Sequence, residues 1–163
     1  FAVLKTLAPE KHVIFNCQMG RGRTTTGTVI ATMLAASKLH VNLGPAPQSN
    51  TEYKTIVRLT RMLTNGTEDK QFADKVIDMC RYVNYNRHVV CNAHLYFVDS
   101  AMQNLRNAIK VLKTQEETAT EPEKKEFAHI RAIYYLSRYF HLILFASYVK
   151  EQANRSGFNY RSC

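Results

Sequence analysis

The chain has 163 residues, 45% of them hydrophobic, four cysteines and a formal net charge of +9 at pH 7. That length suits one domain able to bury roughly two-thirds of its unfolded surface, and the apolar content excludes an intrinsically disordered chain. The cysteines, at 17, 80, 91 and 163, lack the spacing of a disulfide framework, and the longest apolar stretch, 142–149, is too short to cross a bilayer.

In chain order, residues 1–7 read as a short helix, and the apolar, partly β-branched run 12–15 reads as a buried strand. Next comes Cys17-Gln18-Met19-Gly20-Arg21-Gly22-Arg23-Thr24, and then a helix from about Thr24 with hydroxyl side chains in its first turn. Gly44-Pro45-Ala46-Pro47 marks a loop. Ser49 with Glu52 three residues later forms a capping box that opens a helix to about Leu63. Asn65-Gly66 turns the chain into a helix over 67–83, with Phe72, Val76, Ile77 and Cys80 along one side. After an irregular stretch at 84–92, the steps between Val98, Met102, Leu105, Ile109 and Leu112 predict a helix over 95–117. A charged loop lies within 114–126, and Pro122 fits the first position of a last helix running to about Ala153. The organisation is therefore residues 1–40 as strand, glycine loop and helix, 49–153 as a helical part, and 154–163 as a tail.

The segment 17–24 carries the chemistry. Cys-x5-Arg-Thr, with glycines three and five residues after the cysteine, lies between a strand and a helix start. Unpaired backbone N–H groups and the helix dipole at such a junction favour a phosphate dianion and lower the pKa of a thiol. Gly20 and Gly22 let the backbone curl around the anion, and Arg23 offers a permanently charged fork for two of its oxygens. Gln18, Met19, Gly20, Arg21, Gly22 and Arg23 form the expected phosphate cradle. A Walker loop is excluded because no lysine follows the glycines, and a dinucleotide fingerprint because Thr25 stands where a third glycine belongs. Arg21, between the two glycines, adds a second cation that suits a ligand with several phosphates.

Residues 13–27 resemble the cysteine-dependent protein-tyrosine-phosphatase-like superfamily, most closely the paladin family, near the cysteine phytases. The tyrosine-rich run 135–145 also resembles the long late helix of paladins. The resemblance implies an α/β phosphatase-like domain of which this chain is the C-terminal, mostly α-helical part, with one core strand before the loop. It implies Cys17 as nucleophile, Arg23 as phosphate clamp, and Thr24 as the hydroxyl that helps the thiolate leave. The expected activity is hydrolysis of a phosphomonoester through a phosphocysteine intermediate, with an inositol phosphate, phosphoinositide or phosphoprotein as substrate. The alternative is a pseudophosphatase that binds phosphorylated partners as a signalling scaffold. Asn16 departs from the histidine that most of the superfamily carries before the cysteine. The usual general-acid aspartate is also missing from residues 1–16, where Glu10 is the sole carboxylate. These departures, with a start at Phe1, lead to the expectation that the upstream sheet and acid loop belong to the rest of a longer polypeptide.

Other readings are weaker. His88-x2-Cys91-x2-His94, with Cys80 nearby, has donor atoms for zinc, but its spacing matches no common zinc motif, so neither metal nor cofactor is expected. The aromatics fall at helical spacing and no base-reading motif accompanies them, so nucleic acid is not the expected partner of the positive charge. A phosphorylated ligand or an anionic membrane surface is the simpler use of it. A nucleophilic thiol needs a reducing compartment, which makes the cytoplasm the expected location.

Overall fold

A computed structural model of the chain describes residues 15, 23–39, 43–45, 53–82 and 104–155. Among these residues are five helices: α1 (Arg23–Leu39), α2 (Lys54–Met62), α3 (Gly66–Tyr82), α4 (Leu105–Thr118) and α5 (Pro122–Arg155). The described part is mostly helical and contains no strand. The helix expected at 1–7 lies outside the described residues. So does the strand expected at 12–15, except for Phe15, which has no regular structure.

α5 is the spine of the bundle. Its 34 residues extend about 50 Å, and α1, α3 and α4 all pack along it while α2 packs on α3. The α4–α5 turn is short, with Ala119 closing α4 through its N–H to the carbonyl of Gln115, 2.9 Å away. Pro122 opens α5, where its missing N–H would be unpaired in any case. Gly66, buried at the start of α3, sits so close to the backbone of Thr60 that a Cβ there would collide with it, and the α2–α3 corner depends on that approach.

Two boundaries differ from the periodicity. Tyr53 is extended (φ −89°, ψ 127°), so α2 begins at Lys54 and not at a Ser49–Glu52 capping box. α4 begins at Leu105, because Asn104 is its N-cap: the Asn104 side-chain oxygen accepts from the N–H groups of Arg106 at 2.9 Å and Asn107 at 3.3 Å, so the expected helix over 95–117 is not continuous, and its part over 95–103 lies outside the described residues. The apolar steps read through a position where a short polar side chain competes with the helix.

The core joins Val29 and Met33 of α1 to Ile56 and Leu59 of α2 and to Ala73, Val76, Ile77 and Cys80 of α3. Leu105 and Ile109 of α4 and Leu142, Ile143 and Ala146 of α5 complete it. Inside this apolar frame lies a charged cluster. Asp74, 2% exposed, accepts from the Tyr139 hydroxyl at 2.5 Å and from Lys70 Nζ at 2.8 Å. Arg106 Nε lies 3.6 Å from the same carboxylate, while Arg106 Nη1 donates to Asp78 at 3.0 Å. Asp78 also accepts from Asn104 Nδ2 at 2.5 Å. A second buried carboxylate, Asp69, lies 3.2 Å from Lys150 Nζ, within reach of its charge but not aligned for a hydrogen bond. α3, α4 and α5 thus meet at carboxylates that water cannot solvate, and loss of any partner would leave charge buried and uncompensated.

Burial is the main cause that raises the Tyr139 pKa, with the Asp74 charge next; burial also raises that of Tyr53, against the opposing pull of Arg106. Tyr139 therefore keeps its proton beyond about pH 10, where an unfolded tyrosine loses its own. Below that pH the contribution to stability is complete. Above it the unfolded chain releases a proton that the folded chain retains, so stability falls as pH rises. Tyr139→Phe should cost about 1–3 kcal/mol near neutral pH, because Asp74 loses a donor, and should flatten the alkaline fall in stability. Urea unfolding at neutral and alkaline pH tests this; unchanged neutral stability together with an unchanged alkaline slope would contradict it.

Candidate functional site

The described part of the phosphate-binding motif is the beginning of α1. Arg23 is its first residue and is exposed; Thr24, which follows, is half-buried. No carboxylate stands in the first turn, so the helix's own side chains do not oppose its positive end. The helix is seated from behind: Val29 and Met33 are 1% and 0% exposed and pack into the core. Its threonines are accommodated by back-bonding, with Thr28 Oγ1 donating to the Thr24 carbonyl at 3.0 Å and Thr32 Oγ1 to that of Thr28 at 2.9 Å. The Thr25 hydroxyl oxygen is buried and makes no hydrogen bond.

Gly27 shows how the chain before the motif meets the chain after it. A Cβ at Gly27 would lie 2.5 Å from Cδ1 and 2.9 Å from Cε1 of Phe15, closer than carbon atoms approach. The aromatic ring therefore rests directly on the helix backbone, and only glycine leaves room for it. Phe15 stands two residues before Cys17, and Gly27 lies four residues beyond Arg23. The two flanks of 16–22 are consequently held together at the second turn of α1. A glycine inside an otherwise helical run is the sequence signal for such a contact.

Of the expected site residues, Arg23 and Thr24 are adjacent at the helix start, whereas Cys17, Gln18, Met19, Gly20, Arg21 and Gly22 lie outside the described residues. His88, Cys91 and His94 lie outside them as well. Cys80 is 3% exposed, with its Sγ 3.7 Å from Thr32 Oγ1. Burial raises its pKa, and the Thr32 hydrogen bond opposes this only in part, so Cys80 is held as a protonated thiol.

The described aspartates are committed elsewhere. Asp74 is tied to Tyr139 and Lys70, Asp78 to Arg106 and Asn104, and Asp69 is buried beside Lys150. This arrangement is missed by a reading of motifs, since each carboxylate looks like ordinary surface charge until the helices pack.

A family model for protein-tyrosine-phosphatase-like phytases, described as inositol hexakisphosphate, matches residues 1–35. Chicken paladin is 26% identical over 159 residues, covering 91% of this chain and 17% of its own length. Human paladin is 26% identical over 152 residues, covering 88% of this chain and 16% of itself. Mouse paladin is 23% identical over 160 residues, covering 93% of this chain and 17% of itself. The chain thus spans about a sixth of the length of the curated relatives it matches. No solved structure matches it. The match at 1–35 and the similarity over nearly the whole chain together make this chain similar to the paladins, within the protein-tyrosine-phosphatase-like superfamily, and support that resemblance from two directions.

Proposed function

We propose that residues 17–24 bind a phosphomonoester and that Cys17 attacks its phosphorus. An S–P bond forms as the ester P–O bond breaks, and water then hydrolyses the phosphocysteine, with the Thr24 hydroxyl assisting departure of the thiolate. Arg23 and the backbone N–H groups of the loop that leads into α1 hold the non-bridging oxygens throughout. The observation that carries this reading is Arg23 and Thr24 opening a helix whose first turn is free of acid and whose far side is buried in the core. The phytase description and the second cation, Arg21, favour an inositol phosphate or phosphoinositide head group over a phosphoprotein.

A second reading, a pseudophosphatase that binds phosphorylated ligands without turning them over, is favoured by the engagement of the described aspartates, Asp69 and Asp74 inside the core and Asp78 in its ion pair with Arg106 at the edge of it. None of the three can protonate a leaving group at the start of α1 while holding its partners. Without a general acid, turnover is confined to esters with good leaving groups, since losing this assistance costs about 10²–10⁴-fold.

Calorimetry with vanadate tests the cradle. Arg23→Ala should weaken binding at least about tenfold by removing charge-assisted bonds worth about 1.5–3 kcal/mol each, and equal affinities would refute the reading. Iodoacetamide near pH 6 distinguishes the thiols: Cys17 should react first and be protected by vanadate, while buried Cys80 stays unmodified. Equal reactivity of both would remove Cys17 as nucleophile and leave the binding role. Arg21→Ala should raise the KM for inositol polyphosphates much more than for phosphotyrosine peptides, because only the former place a second phosphate near it; equal losses would set aside the inositol preference.

A further inference from the structure

α5 is apolar on two sides, and only one of them faces the bundle. Ala128, Ala132, Tyr139, Leu142, Ile143 and Ala146 enter the core, whereas Phe127, Ile130, Ile133 and Tyr134 are 61%, 58%, 52% and 56% exposed. A helix that is apolar all round is one whose second face is normally covered. Phe127, Ile130 and Tyr134 follow one another by three and four residues, the step of a helix-pairing seam, and Ser137 and His141 continue the register.

The edges of this seam carry opposite charge. Along one edge, Arg131 lies over the Phe127 ring at 5.2 Å and Arg138 over the Tyr134 ring at 4.2 Å, and Arg138 also donates to the Tyr134 hydroxyl at 2.5 Å. No carboxylate pairs with either arginine among the described residues. Along the other edge, Glu126 is exposed, and the ion pairs at this end of the helix, Lys124–Glu121 and His129–Glu116, leave it out.

We propose that α5 pairs with α5 of a second copy of this chain, the two helices running parallel about a twofold axis along their length. Such an axis sets the Glu126 edge of each copy against the Arg131 edge of the other, and places Phe127, Ile130 and Tyr134 in the seam. Antiparallel pairing would instead oppose the arginine edges to each other. With few large side chains in the seam, the dimer belongs to the small, reversible class of interfaces.

Sedimentation equilibrium of the 163-residue chain tests the pairing. A monomer–dimer equilibrium is expected, with a dissociation constant on the order of 10⁻⁵ M for so small a contact. Ile130→Glu should weaken it about 100-fold by placing charge in the seam. Glu126→Arg and Arg131→Glu should each weaken it about tenfold, and the double exchange should restore it. These three positions are exposed, so circular dichroism should show the folded bundle in every variant. In Ile130→Cys, a thiol cross-linker should join position 130 of one copy to position 130 of the other, as a parallel pair requires. A chain that stays monomeric, a dimer indifferent to Ile130→Glu, or single exchanges not rescued by the double would overturn the proposal. So would a monomer whose Ile130-dependent binding is to phosphatidylserine vesicles.

Discussion

Asp74 is the residue on which the bundle depends. Asp74 is 2% exposed, in an interior built mainly of aliphatic side chains, and an isolated charge there would cost several kcal/mol. Three partners from three helices remove that cost: Lys70 from α3, Tyr139 from α5 and Arg106 from α4. Hydrophobic burial is non-directional and would tolerate several ways of stacking amphipathic helices. The carboxylate is not so tolerant, since satisfying it requires these helices to meet at one height and rotation. Arg106 extends the constraint to Asp78, and Asn104 joins Asp78 to the cap of α4, so the start of that helix and the middle of α5 are set by the same group of contacts.

The consequence for function is a division of labour. The polar core holds α3, α4 and α5 rigid, and Val29 and Met33 seat α1 against them. Arg23 and Thr24 are thereby placed at the exposed end of a well-anchored helix, and Phe15 on Gly27 draws in the chain that leads to Cys17. A phosphate seat gains most from donors that need no reorganisation when the anion arrives. The two described sets of charge are complementary in purpose: Asp69 and Asp74 are consumed in the interior, and the first turn of α1 carries no acid against its positive end.

The legibility of the sequence varied with the kind of signal. Val76, Ile77 and Cys80 at helical spacing, and Pro122 as a start, located α3 and α5 closely, because burial of one face imposes that period. The motif at 17–24 stands out in the sequence because few chemistries need cysteine, two glycines, arginine and threonine in register, and the described residues include only its last two, Arg23 and Thr24. The errors came from local competition. Ser49 and Glu52 resemble a capping box, yet Tyr53 is extended, and the expected helix over 95–117 is broken at Asn104, which caps the part that begins at Leu105. The Asp74 cluster was invisible since its members are 32 and 65 residues from Asp74 in Arg106 and Tyr139, with only Lys70 a local partner. The second apolar side of α5 is likewise indistinguishable from core in the sequence, because periodicity cannot say which face meets the bundle.

The most direct test of the site is backbone NMR of the chain titrated with inorganic tungstate. If α1 begins in an anion seat, the largest shifts and the strongest slowing of amide exchange fall on the N–H groups of residues 17–25, while Asp74, Arg106 and Tyr139 remain unchanged. Shifts scattered over the exposed lysines and arginines of α5, with none at Arg23 and Thr24, would contradict the account.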